Sequence, residues 1–204
     1  MKAIKDIKPG PFESLETVLR KWQSFQKLEW WDYKGDAPWW YNERASLSLL
    51  AGAVWKCGGW VFEEFSTKRR TATTKGKYEK YLGRCDIMFG VGRDQFIGEA
   101  KQCWLVLGLP LRNAVEEVSA CFKTALSQAS QLSSYEGKRI AIVFVTSRIH
   151  ASKKEEVEMR VREFIDQLKT KNVAMAYLFP KNGDKIRHGN YIYPGIILLI
   201  KSKR

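Results

Sequence analysis

Gly83-Arg84-Cys85-Asp86-Ile87-Met88-Phe89-Gly90-Val91-Gly92-Arg93-Asp94-Gln95-Phe96-Ile97-Gly98-Glu99-Ala100-Lys101-Gln102 reads as two short strands joined by a tight turn. Cys85 to Phe89 is apolar apart from one carboxylate, Gly90 to Asp94 supplies turn residues, and Phe96 to Gln102 runs extended again. Residues two apart on a strand share a face, so Glu99 and Lys101 point one way while Phe96, Gly98 and Ala100 point the other. Ordinary hairpin pairing brings Asp86 close to the Glu99 face. Two carboxylates about 4 Å apart repel by roughly 4 kcal/mol at an effective dielectric of about 20. A cation between them relieves that repulsion, and hard oxygen ligands suit Mg²⁺ or Mn²⁺.

Asp86 followed a hairpin later by Glu99-Ala100-Lys101 resembles the motif of the PD-(D/E)xK nuclease superfamily, with Arg84-Cys85 standing where a proline often precedes the aspartate. Asp6-Ile7-Lys8, Asp32-Tyr33-Lys34 and Glu136-Gly137-Lys138 share the three-letter piece, but none has a strand-borne aspartate a hairpin upstream. The resemblance implies an α/β fold with a restriction-endonuclease-like αβββαβ core around a mixed central sheet. In this chain that core spans 40–147, with an N-terminal helical extension (1–39) and a C-terminal helix plus two strands (148–204), all in one domain. The resemblance further implies Asp86 and Glu99 as metal ligands, the Ala100 carbonyl as a further ligand, and Lys101 as the group that orients or deprotonates water or steadies charge on the phosphate. Many members carry an acidic residue on the helix before the sheet, and Glu43 occupies that place. Gln131 and Tyr135 match the Gln-x-x-x-Tyr element of RecB-like members, and on one helix they share a face toward a substrate strand.

The rest of the chain is compatible with that reading. Its 204 residues, 45% hydrophobic and 13% aromatic, bury a core rather than remain disordered. A formal charge of +13 favours a polyanionic partner. The sequence lacks an apolar run of membrane-spanning length and a signal-peptide core after Met1, so a cytoplasmic protein is expected. Cys57, Cys85, Cys103 and Cys121 are widely spaced and read as free thiols, without the arrangement of an iron–sulfur cluster. His150 and His188 have no metal-pair spacing, and Gly90-x-Gly92 fits a hairpin turn better than a nucleotide loop.

Periodicity predicts the remaining elements. Phe12 to Trp31 is an amphipathic helix with Leu15, Val18, Leu19, Trp22 and Phe25 inward. Trp30-Trp31 and Trp39-Trp40-Tyr41 are read as packing residues, with base stacking the less common use. A helix from Trp40 to Cys57 places Glu43 at the head of a Leu47, Leu50, Val54 stripe. There it pairs with Arg44 or another cation at the helix end, faces the metal site, or merely complements the helix dipole. Trp60 to Phe65 is a strand; Ser66 to Lys77 is a basic loop, or the ragged tip of a hairpin whose return strand begins near Tyr78, and its Lys68, Arg69, Arg70, Lys75 and Lys77 contact phosphates. Leu111 to Tyr135 is a helix, Arg139 to Thr146 a strand buried on both faces, and Lys153 to Lys171 a helix. Val173 to Phe179 and Tyr191 to Ile200 complete the strands.

The expectation is therefore a Mg²⁺- or Mn²⁺-dependent deoxyribonuclease using Asp86, Glu99 and Lys101, with Gln102, Glu43 and Gln131 positioning water or substrate. Single- versus double-stranded DNA, endo- versus exonuclease mode and a homodimer are left open. The alternative is a non-catalytic nucleic-acid-binding protein on a degenerate nuclease fold.

Overall fold

From Trp60 onward the chain makes three strands in succession, and the pairing of these strands sets the architecture. The computed structural model describes residues 2–27, 36–72, 78–132, 137–168 and 172–202. Its elements are β1 (Ile4–Lys8), α1 (Glu16–Phe25), α2 (Glu43–Lys56), β2 (Trp60–Ala72), β3 (Tyr78–Val91), β4 (Asp94–Val106), α3 (Leu111–Ala129), β5 (Lys138–His150), α4 (Val157–Gln167), β6 (Ala174–Phe179), β7 (Arg187–His188) and β8 (Tyr191–Ser202). Short 3₁₀ turns precede α1, α2 and α4.

Among the described residues this is an α/β protein with one eight-stranded sheet, ordered β1-β6-β8-β5-β4-β3-β2, and β7 paired to β8. Only β4 and β5 run parallel, joined through α3; every other pairing is antiparallel. A parallel pair needs such a crossover, whereas β3 and β4 close over Gly92-Arg93 between the paired Val91 and Asp94. Gly92 has φ +58°, which a residue without a Cβ adopts without strain.

Alternation along the central strands divides the core in two. Ile140, Ile142 and Phe144 of β5 face α1 and α2, packing with Leu19, Trp22, Leu47 and Leu50. Val143 and Val145 face α3 and α4, packing with Val118, Val161 and Phe164. The continuous apolar run of β5 is thus covered on both faces, as expected of a strand at the centre of a sheet. Cys57, Cys85, Cys103 and Cys121 are free, and no helix is long and apolar enough to cross a membrane among the described residues.

Several expected boundaries are corrected. The first helix ends at Phe25 rather than Trp31, and α3 ends at Ala129 rather than Tyr135. Ile4–Lys8, not expected as a strand, pairs with β6. The basic stretch belongs to a hairpin rather than a loop, and its first strand is longer than expected: β2 runs past Phe65 through Lys68, Arg69 and Arg70, which pair with Leu82, Tyr81 and Lys80 of β3. Their hydrogen bonds come from a partner strand, a tertiary contribution that overrides a sequence poor in apolar alternation. Lys75 and Lys77, like Trp30, Trp31 and Tyr135, lie outside the described residues.

Candidate active site

The β3–β4 ladder runs from Val91–Asp94 to Ile87–Gly98 and stops there. Beyond that point β3 stays with β2 while β4 stays with β5, so the two strands of the hairpin fork apart. The fork leaves β4 with backbone N–H groups that have lost their partner strand, and buried donors of this kind need acceptors. Side chains provide them. Asp86 Oδ2 accepts from Ala100 N at 2.8 Å, and Glu43 Oε2 accepts from Gln102 N at 2.9 Å. Glu43 reaches the strand because it is the first residue of α2, whose start is held by Asn42 accepting from Ala45 N at 3.0 Å. Two carboxylates from separate elements are thereby pinned along one edge of β4.

Regular strand alternation also breaks at Asp86. Ile87 and Phe89 face α1 and α2, yet Cys85, of the same parity, packs with Ile97, Ala129 and Leu132 on the other face. Across from Asp86, the pair with Glu64 is missing from the β2–β3 ladder, and Glu64 has φ +54°. A left-handed conformation in a non-glycine residue costs about 1–3 kcal/mol and concentrates at functional sites. The Glu64 carboxylate is engaged by Arg84 and, at 3.4 Å, by Arg44. Arg44 therefore does not pair with Glu43, and Glu43 faces the fork.

Glu99, on the next residue of β4, is only 3% exposed. Burial, reinforced by the Asp86 charge, pushes its carboxyl up to about 7, while Arg69 and Lys101 pull in the opposite direction. Glu43 is raised above the usual carboxylate range, chiefly by burial and secondarily by Asp86 and Glu64, against the pull of Lys101 and the Gln102 N–H. Lys101 Nζ donates to the Ala100 carbonyl at 2.6 Å. Arg69 Nη2 donates to both Glu99 Oε1 and the Arg84 carbonyl.

Asp86, Glu99, Ala100, Lys101 and Glu43 are thus brought to one fork. Gln102 is a brace: its amide nitrogen donates to Thr146 Oγ1 at 3.0 Å and to the Tyr41 carbonyl at 3.1 Å, tying β4 to the segment before α2. Tyr135 lies outside the described residues, and Gln131 is not helical. It sits in the turn after α3, where its Oε1 accepts from Tyr81 Oη at 2.8 Å and its carbonyl accepts from Arg70 N at 3.0 Å. Lys68 and Arg70 are exposed on the β2–β3 ribbon, whereas Arg69 points inward. Sequence reasoning missed Glu64 and Arg84, and it assigned Arg69 to the surface. The available signal was Gly83, whose missing side chain makes room for Arg69: a Cβ there would lie 2.6 Å from Arg69 Cδ.

The donor set suits a hard divalent cation. Asp86 and Glu99 carboxylates and the Ala100 carbonyl are all oxygen ligands, and repulsion between Asp86 and Glu99 is the electrostatic condition that a cation relieves. Among the described residues no three or more His, Cys, Asp or Glu side chains are gathered as a ready metal cluster. An ion held by two carboxylates and a carbonyl retains several waters, as Mg²⁺ commonly does. In comparisons with family models, curated proteins and solved structures, none matches the chain.

Proposed function

We propose that this protein is a metal-dependent phosphodiesterase. More specifically, we read it as a nuclease acting on DNA, built on a variant of the restriction-endonuclease-like core formed by α2, β2, β3, β4, α3 and β5. The observation that carries the reading is the fork: Asp86 from β3 and Glu99, Ala100 and Lys101 from β4 converge where the hairpin opens. Asp86, Glu99 and the Ala100 carbonyl would hold Mg²⁺ or Mn²⁺, which when bound supplies Lewis acidity and a water of lowered pKa. Lys101, whose Nζ donates to the Ala100 carbonyl, would supply a proton or positive charge to the water and the phosphate. Glu43 keeps a third carboxylate at the rim, fixed by the Gln102 N–H. The formal charge of +13 and the exposed Lys68, Arg70 and Lys80 on the ribbon attract a polyanion.

A second reading has its own observation. Asp86 and Glu43 already serve as caps for the N–H groups of β4, and Arg69 and Lys101 already occupy Glu99 and the Ala100 carbonyl. A protein that binds nucleic acid without cleaving it would use the same carboxylates structurally. Incubating the protein with plasmid, single-stranded DNA and RNA, in Mn²⁺, Mg²⁺ or EDTA, separates the two. Metal-dependent cleavage that disappears in Glu99→Gln supports the nuclease. Tight binding with no cleavage under any of these conditions supports the binding protein.

A further inference from the structure

The β2–β3 ribbon sends one arginine into the fork. Arg69 is paired across the ladder with Tyr81, two pairs beyond Thr67–Gly83, and its side chain crosses the open backbone of Gly83 to reach Glu99 on β4. Its side chain is 11% exposed and that of Glu99 is 4% exposed. This pair is the most buried ion pair formed among the described residues. The guanidinium is only partly used: Nη2 makes both contacts, while the buried Nε has no partner. A buried arginine normally satisfies its fork of donors, and an orphaned one marks a position that another arrangement would serve better.

We infer that Arg69 is the resident counter-cation of the fork, exchanging with the divalent metal for Glu99. This inference rests on the metal-site reading of Asp86 and Glu99 and adds a role for Arg69. With the metal absent, Arg69 neutralises Glu99 against the Asp86 charge, so the fork stays closed by an ion pair. Metal binding supplies that charge instead and releases the guanidinium. Arg69 shares its strand with the exposed Lys68 and Arg70, and there its planar fork of donors suits a phosphate. Phosphate contact by Arg69 thereby becomes conditional on metal, which couples metal occupancy to substrate binding. Such coupling is reciprocal: whatever occupies Glu99 in place of Arg69 favours the phosphate-bound state, and the phosphate favours the metal.

The test uses the full chain and two probes, Mn²⁺ alone and a short DNA duplex. Arg69→Met removes the competitor, and Mn²⁺ should bind about tenfold more tightly, measured by calorimetry or by loss of the free-ion electron paramagnetic resonance signal. Because deleting any nearby cation favours a metal somewhat, the second arm is decisive. The slope of log duplex affinity against log salt should fall in Arg69→Met by about 0.9 in Ca²⁺ and stay at the wild-type value in EDTA. If Arg69→Met fails to fold, Gly83→Ala retains every charge while crowding the Arg69 methylenes, and tighter Mn²⁺ binding is again expected. Equal slopes for wild type and variant in both conditions, or an equal loss in both, overturn the exchange while leaving the metal site intact. Absence of Mn²⁺ binding by wild type and variants alike removes the metal site itself, and the exchange with it.

Discussion

Asp86 offers the cleanest separation between a carboxylate that caps a strand and one that holds a metal. Its Oδ2 accepts from the N–H of Ala100 at 2.8 Å, and Ala100 is fully buried. Asp86→Ala leaves that donor orphaned, at a cost of about 1–3 kcal/mol. In a chain of 204 residues this lowers Tm by roughly 2–4 °C per kcal/mol. Asp86→Asn keeps a side-chain oxygen in nearly the same place and removes the charge. The lost increment between a charged and a neutral acceptor is about 1 kcal/mol, partly offset because repulsion with Glu99 also disappears. Stability should therefore rank wild type close to Asn and both above Ala. Activity should rank differently: if the carboxylate holds the metal, Asn and Ala lose cleavage alike, by about a hundredfold or more. Thermal melts in EDTA beside cleavage of plasmid and single-stranded DNA in Mn²⁺ give both rankings. An Asn variant that cleaves at half the wild-type rate or better would refute a metal-ligand role and leave Asp86 as a cap.

Three further outcomes follow from the same geometry. Glu43→Gln retains an acceptor for the Gln102 N–H, so Tm should move little while the Mn²⁺ concentration needed for half-maximal cleavage rises; a helix-dipole role alone predicts a loss of about 0.3–1 kcal/mol with the metal requirement unchanged. Glu99 has its carboxyl raised to about 7, above its unfolded value, so the folded protein binds the extra proton between those two values. The Glu99 contribution to stability in EDTA is therefore fully present below the unfolded value and is lost as pH rises through about 7; in Glu99→Gln the decline over that window should be shallower, and parallel melting curves against pH would contradict the assignment. Replacing both Lys68 and Lys80 with Ala should lower the salt slope of duplex binding by about 1.8, and an unchanged slope would move the binding surface off the ribbon.

Features that depend on neighbours a few residues apart are legible in the residues alone. The hairpin turn, formed by Gly92-Arg93 inside the expected Gly90–Asp94, and the apolar rows of α1 and α2 follow from strand and helix geometry, as does the i, i+2 face shared by Glu99 and Lys101. Glu43 was legible as an anomaly, a carboxylate heading an apolar stripe, because burying an uncompensated charge is costly. Its partner was not legible, since the Gln102 N–H is orphaned only by a fork that forms when β3 and β4 choose different outer neighbours.

The ends and exceptions belong to tertiary structure. α3 stops at Ala129 and the chain then pairs with the ribbon, through Arg70 N to the Gln131 carbonyl and a bridge between Arg69 and Leu132, so Gln131 leaves the helix on which it was expected. Lys68-Arg69-Arg70 has the composition of a solvated loop and becomes strand because β3 extends far enough to pair with it. Of those three cations, the one turned inward is the one that passes over Gly83 and meets Glu99. Composition reports how much positive charge a chain carries. Which charge is buried is decided by where a missing Cβ opens a path and where an opposite charge waits at its end, and both are set by strands distant in sequence.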